Sequence, residues 1–329
     1  MNEMHFAEAP SNIALIKYMG KIKGADANKP ANSSLSMTLG HLRSRVEITP
    51  STDSYDSWEP LDKQGWTVTK LSERGRKRYM THFEFLKQKL GVHGNYIVKS
   101  ANNFPSDCGI ASSASSFAAL TMVTYKIAQL QNKKIDINIQ KLADLSRAGS
   151  GSSIRSFLSP LVVWNGEGVS TISIPYNNLL HQVVIVDRSK KEIGSSDAHQ
   201  RVPSSLLYQG RVLRAEARLV QLLNAFENKN WKSAFEIVWA EFWDMHALFA
   251  TANPPFHYMS DKSLKILDFA FQYWQKNNDG PLITMDAGAN VHLIYREDQI
   301  EIASQLKQNL SNQIENIEIL NSYDSQGTK

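Results

Sequence analysis

At 329 residues the chain exceeds the usual size of one domain, so two are expected. Hydrophobic residues make up 42% and charged residues 21%, the profile of a soluble globular protein with a sizeable core. A formal net charge of +4 suits anionic small molecules and is too small to argue for nucleic-acid binding, while no apolar run is long enough to span a membrane.

A single cysteine, Cys108, rules out an internal disulfide framework, and no Cys/His spacing indicates zinc. With no signal-peptide pattern in residues 1–10, the expected location is cytoplasmic. Residues 9–21, APSNIALIKYMGK, read as a strand that enters a turn at Gly20. Lys17 directly follows the apolar Ile13, Ala14, Leu15 and Ile16, where a charge needs a partner; a surface lysine is the plainer reading. Residues 32–39 and 43–50 read as two further strands, and the polar stretch 52–65 as a loop or hairpin tip. Residues 74–90 form a helix with Phe83, Leu86 and Leu90 on one side. Its basic run, Arg74, Arg76, Lys77 and Arg78, reads as a solvated face.

Residues 95–101 alternate as a strand, and 117–130 carry a helical pattern. Between them lies NNFPSDCGIASSASSFA, residues 102–118, with Gly109 and the hydroxyls of Ser112, Ser113, Ser115 and Ser116. A strand that turns through small residues into a helix N-terminus makes an anion site, because the first N–H groups lack partners and the dipole favours negative charge. The alternative is an ordinary cap on a tightly packed helix. No Gly-Lys-Ser/Thr follows, so this is not a Walker A loop.

A helix over 138–148 leads into a second small-residue run, GSGSS at 149–153, then Ile154 and Arg155. Residues 158–164 and 169–174 pair as strands, and a domain boundary is expected near the turn at 175–178. Residues 181–186 read as a buried strand, followed by helices over 209–226 and 231–249. The second helix carries the stripe Trp231, Phe235, Trp239, Phe242 and Phe249, read as core or subunit interface, which leaves a homodimer open. His246 reads as a structural histidine. A helix over 261–275 precedes strand, turn and strand in 281–296. Asp286 ends the first of these strands. It is a site candidate, since partly dry surroundings would set its pKa and direction, or else the start of an Asx-turn. A helix over 299–310, a closing strand over 314–320 and a frayed tail complete the chain.

NIALIKYMGK, NNFPSDCGIASSASS, SRAGSGSSIRS and TMDAGAN, in this order, resemble the diphosphomevalonate decarboxylases of the GHMP kinase superfamily over residues 10–296. The resemblance implies an α+β, GHMP kinase-like fold of two domains with the active site in the cleft between them. Residues 1–178 would carry the ATP-phosphate loop, and residues 179–329 would form a ferredoxin-like domain with the catalytic aspartate. It implies that ATP, with Mg2+, phosphorylates the tertiary 3-hydroxyl of (R)-5-diphosphomevalonate. Phosphate and CO2 then leave, giving isopentenyl diphosphate and ADP.

On the matching positions, Asp286 would be the base and Lys17 would neutralise the reacting phosphoryl group. Arg155 would grip the substrate carboxylate bidentately. Tyr18, Met19, Gly20, Lys21, Ser150, Gly151, Ser152, Ser153, Ile154 and Ser196 match substrate-binding positions. Arg78, with Arg74 or Arg76 as alternatives, matches the arginine for the distal phosphate. Asn102, Gly109, Ile110, Ala111, Ser112 and Ser113 match the ATP site, with the Ser113 hydroxyl also at the metal. The chain departs from the family at Met19, where Trp is usual, at Ile22, Lys23 and Gly24, and at Ala289, where Pro is usual. These departures bear on the substrate's phosphate count: some relatives decarboxylate a 5-monophosphate, and some phosphorylate the 3-hydroxyl only. A reading of another class, an anion- or nucleic-acid-binding module on the Arg74–Arg78 run, predicts salt-sensitive binding without ATP turnover. No aromatic residues interleave with that run on one face, so nucleic acid is not an expected partner, and with no apolar run long enough to span it neither is a membrane.

Overall fold

The computed structural model describes residues 3–22, 24, 28–105, 110–187 and 191–323. Lys23, Cys108, Gly109 and the tail 324–329 lie outside the described residues.

The first half is built on one long strand. β1 (His5–Ile16) pairs antiparallel with β2 (Ser34–Ser51). The other edge of β2 carries two strands in succession: β5 (Asn95–Asn102) against residues 44–51, and β6 (Leu161–Trp164) against residues 34–37. β3 (Ser57–Pro60) and β4 (Thr67–Val68) pair with β5, and β7 (Val169–Ile172) with β6, completing seven strands.

Two expectations are corrected here. The strands expected over 32–39 and 43–50 are one strand. Its Gly40-His41 step does not end it, because a register shift between Pro10 and Ser11 on β1 absorbs the misfit. The stretch 52–65 is not all loop, because β3 adds in parallel to β5. Only Trp58 of its four residues is buried, so an edge strand leaves almost no period to read.

Three helices cover this sheet. α1 (Glu73–Leu90) starts where the Ser72 side chain accepts the Gly75 N–H and stops at Gly91, whose φ of 67° only glycine adopts cheaply. α2 (Ser112–Gln131) crosses β1 and β2, and small residues let it lie close: Ser115 Oγ is 2.6 Å from Ser44 Oγ on β2. α3 (Ile139–Gly149) runs directly into a 3-10 helix, Gly151–Phe157, so the GSGSS run is a helical junction rather than a linker.

The second half runs β8 (Leu179–Ile185), α4 (Ser195–Arg201), α5 (Arg211–Glu227), α6 (Trp231–Ala250), α7 (Asp261–Asn277), β9 (Leu282–Thr284), β10 (Val291–Arg296), α8 (Ile300–Gln313) and β11 (Glu318–Asn321). Its antiparallel sheet has the order β11-β8-β10-β9. Counted along this half, that is fourth, first, third, second, the ferredoxin-like arrangement. Trp231, Phe235, Phe242 and Phe249 of α6 are buried, so most of the aromatic stripe is core.

The two sheets share that core. Ile13, Leu15 and Ile16 of β1 and Leu35 of β2 belong to one cluster with Leu222 of α5, Phe242 of α6, Ile283 of β9 and Leu293 of β10. Each such side chain contributes about 1.5–3 kcal/mol on burial. No helix among the described residues is long and apolar enough to cross a membrane.

Candidate active site

A cleft of about 440 Å³ opens between the halves, and its inner end is where β1 stops. Lys17 follows Ile16 into surroundings that leave it 1% exposed. Its ammonium donates to Asp286 Oδ1 at 2.7 Å and to the Ala14 carbonyl at 2.7 Å. Burial pulls the Lys17 ammonium below its ordinary pKa, with Asp286 and Glu241 opposing. Burial alone would raise the Asp286 carboxyl. The adjoining Lys17 outweighs it, helped by His292 and Arg155, and holds the group below the usual carboxylate value.

Asp286 follows β9 in a turn fixed from three sides. The Gly288 N–H donates to the Asp286 carbonyl at 2.8 Å, Asn290 Oδ1 accepts the Val186 N–H at 2.8 Å, and Ser263 Oγ donates to the Ala289 carbonyl at 2.6 Å. The turn is closed by main chain, and the carboxylate is directed at Lys17 instead of forming an Asx-turn. His246 lies behind, its Nε2 3.2 Å from the Asp286 carbonyl. That nitrogen carries the hydrogen, and burial first, then Lys17, lowers the imidazole pKa to about 3, so the ring is neutral.

Arg155 sits on the 3-10 helix and is also buried. It donates through Nη1 to Ser34 Oγ at 2.9 Å and through Nη2 to Asn12 Oδ1 at 3.3 Å. Burial brings its pKa down to about 10, against the pull of Asp286. Tyr18 stands between two rings, 4.9 Å from Trp164 and 4.3 Å from His199 between centroids. Gly151 passes beneath it, where a Cβ would come 2.6 Å from the ring, so only glycine fits. Gly20 turns the chain with φ of 102° and donates its N–H to His199 Nδ1 at 3.1 Å.

The outer end is polar and open. Asn102, Ala111, Ser112, Ser113 and Ser116 form one wall, with Lys21 and Arg78 also on the cleft. Among the described residues no side chain caps α2, whose N-terminus starts from Ala111 at φ of 49°. Ser113 is exposed, its Oγ 3.3 Å from Ser150 Oγ. Arg78 reaches the Gly149 carbonyl through Nη2 at 2.6 Å. Arg74 pairs across the mouth with Asp197 of α4 at 2.9 Å, and Arg76 instead lies over the Trp58 ring. Among the described residues, six cations, Lys17, Lys21, Arg74, Arg78, Arg155 and Lys191, and three carboxylates, Asp197, Asp286 and Glu192, line the cleft. That balance suits a multiply charged anion.

The donor set fits Mg2+-ATP. Hydroxyls and a helix N-terminus without a side-chain cap among the described residues suit phosphate oxygens, and Ser113 could add one oxygen to a metal held mainly by phosphates and water. No cluster of three or more His, Cys, Asp or Glu that could hold a metal by itself occurs among the described residues.

The structure thus brings Lys17, Tyr18, Met19, Lys21, Arg78, Asn102, Ala111, Ser112, Ser113, Ser150, Gly151, Ser152, Arg155, Ser196 and Asp286 to one cleft. Gly20, Ile110, Ser153 and Ile154 are not on its wall. Ser153 spends its hydroxyl on the Ser150 carbonyl at 2.6 Å, Ile154 is core, and the Ile110 carbonyl accepts from Ser11. Sequence reasoning missed Asn12, Ser34, His199, Arg211 and Glu241. The signal for Glu241 was available: it sits among Val238, Phe242 and Met245 on a buried helical stripe.

Comparison with known proteins agrees over both halves of the chain. Residues 9–174 match the diphosphomevalonate decarboxylase-like N-terminal domain, and residues 182–327 the mevalonate 5-diphosphate decarboxylase C-terminal domain. The diphosphomevalonate decarboxylase of Ganoderma lucidum is 30% identical over 90% of this chain and 79% of its own. The crystal structure of a mevalonate diphosphate decarboxylase from Legionella pneumophila superposes with a TM-score of 0.89 at 46% identity, covering 97% of this chain and all of that one. The Enterococcus faecalis enzyme, whose structure concerns mevalonate diphosphate-mediated ATP binding, gives a TM-score of 0.79 at 29% identity over 96% of this chain and 95% of that one. A relative solved with MVAPP, AMPPCP and magnesium gives 0.80 at 28% identity, covering 97% and 99%. The chain belongs to the diphosphomevalonate decarboxylase family.

Proposed function

We propose that the protein catalyses the ATP-dependent decarboxylation of (R)-5-diphosphomevalonate to isopentenyl diphosphate through 3-O-phosphorylation. The observation that carries this is the Lys17–Asp286 pair at 2.7 Å, in a cleft that also holds Arg155. Relatives solved with MVAPP, AMPPCP and magnesium support the ligands. Bound Mg2+-ATP supplies the phosphoryl group and screens its charge.

In this reading Asp286 accepts the proton of the 3-hydroxyl. A tertiary alcohol is a crowded, weak nucleophile and needs both orientation and a base. Asp286 is a weak base while Lys17 is its partner. As Lys17 turns its charge toward the phosphoryl oxygens, the carboxylate loses that partner but stays in dry surroundings, and its basicity rises. Arg155, already locked by Asn12 and Ser34, offers its fork to the substrate carboxylate and so aligns the C–CO2 bond for cleavage. Asp286 then passes that proton to the departing phosphate, and the carboxylate so restored opposes the positive charge growing at C3.

The 5-diphosphate is preferred in this reading, because Tyr18, Lys21, Ser150, Ser152, Ser196 and Arg78 offer more donors than one terminal phosphate can use. A second reading, a 5-monophosphate substrate, is favoured by Asp197, which puts a carboxylate into the same arc and occupies Arg74. The reading also places domains at residues 1–178 and 179–329, a homodimer, and a cytoplasmic location. The test supplies purified protein with Mg-ATP and mevalonate, its 5-phosphate or its 5-diphosphate. ADP and CO2 are expected in equal amounts with the diphosphate. ADP without CO2 would make it a kinase, and equal kcat/KM for both phosphates would favour the second reading.

A further inference from the structure

Lys17 is held at its peptide as well as at its ammonium. Glu241 Oε1 accepts the Lys17 N–H at 3.0 Å. Arg211 Nη2 donates to the Lys17 carbonyl at 3.1 Å, and Asn32 Nδ2 donates to the same oxygen at 2.9 Å. Glu241 and Arg211 have no exposed surface, and they meet in a fork: Nη2 to Oε1 at 2.5 Å and Nη1 to Oε2 at 3.0 Å. Behind them Arg218 donates to Glu241 Oε2 at 2.9 Å, and Asp244 gathers Arg211, Arg214 and Arg218.

Stability does not account for this arrangement. Burying two ions is costly, and well-packed apolar side chains in their place are often as stable or more so. The fork instead ends on the peptide of the residue whose ammonium faces the reacting groups. We propose that Arg211 and Glu241 are positioning residues for Lys17, clamping its peptide so that the ammonium points into the cleft, with the Glu241 carboxylate as a second negative charge beside it; this rests on the role given to Lys17 above. The charged and titratable groups around Lys17 are Asp286 after β9, Glu241 and His246 on α6, Arg155 on the 3-10 helix and Arg211 on α5. His246 is neutral and Arg211 is matched by Glu241 and Asp244. With burial and Arg155 pulling the ammonium down, Asp286 and Glu241 are the two groups that hold it up.

Glu241→Gln tests this, since it keeps an oxygen for the Lys17 N–H and removes the charge. We expect kcat to fall roughly 10- to 100-fold, KM for both substrates to stay within about twofold, and the alkaline limb of kcat to move to lower pH. Glu241→Asp should restore the limb. The double variant Arg211→Met with Glu241→Met guards against misfolding: its melting temperature should hold while kcat stays low. A folded Glu241→Gln with the native limb, or a double variant with native kcat, would overturn the assignment. Both comparisons are made against native protein on whichever substrate it turns over, so a wrong choice of substrate cannot be mistaken for a wrong role for Glu241. 15N NMR titration of the Lys17 ammonium reads the same shift without turnover.

Discussion

The inner and outer ends of the cleft are built on opposite terms. At the inner end Lys17, Arg155, Glu241 and Arg211 are buried, and each charge already has its partners. At the outer end the Arg74 side chain is 81% exposed, Ser113 is exposed, and α2 has no side-chain cap among the described residues. Folding therefore fixes the geometry of the inner end, and most of its desolvation precedes the ligand, Asp286 alone of the groups named for catalysis keeping a 22% exposed side chain. The outer end waits for the ligand's own charges. Groups aimed in advance lower the barrier without reorganising, whereas groups that gather around a ligand mainly hold it. Inner substitutions should register in kcat, and outer ones in KM.

The largest effect expected is at Asp286. Asp286→Asn keeps the shape and removes the base, so kcat should fall by roughly 10²–10⁴ while nucleotide affinity stays near native. Paired turnover and nucleotide-binding measurements check this, and an equal loss in both would erase the distinction between the ends. Ser113→Glu comes next. It places a carboxylate where phosphates are expected, so ATP affinity should weaken roughly 10- to 100-fold, the loss expected with a hydrogen bond to a charged group of about 1.5–3 kcal/mol. The helix tolerates acid at its N-terminus, so thermal melting should be unchanged. A folded variant with native ATP affinity would make this wall a packing surface only. The smallest effect is the most selective: Arg78→Ala should raise KM for the diphosphate about tenfold more than for the monophosphate, with kcat little changed. Equal shifts for the two substrates would remove Arg78 from the distal phosphate.

Much of this was legible residue by residue. Lys17 after four apolar residues raised the question of a partner while a surface lysine stayed the plainer reading; the partner lies 269 positions away, and no local period points across such a gap. Asp286 was legible as a carboxylate at the end of an apolar strand. Its direction was not, because the choice between Lys17 and an Asx-turn is made by Asn290 and Ser263 holding the turn from outside. Glu241 was overlooked for the opposite reason: the aromatic side chains around it dominated the reading of α6, and an acid among them passed as one of its polar positions. The small-residue run at 149–153 was legible as a run between a helix and an apolar segment, but the reason for Gly151 was not: it is needed for Tyr18, a neighbour that sequence spacing does not reveal.

The core shared by the two sheets sets an order on synthesis. Ile13, Leu15 and Ile16 leave a ribosome some two hundred residues or more before Leu222, Phe242, Ile283 and Leu293, which share their core cluster. Until then the exit end of β1 has apolar surface with nothing to close over it, and contacts of such long sequence separation form slowly. The nascent chain therefore cannot complete its first half and then add the second. The inner end of the cleft, with Lys17 at its apex, comes into existence only once β9 and the Asp286 turn after it have been made, so a chain truncated before β9 would be sticky as well as inactive.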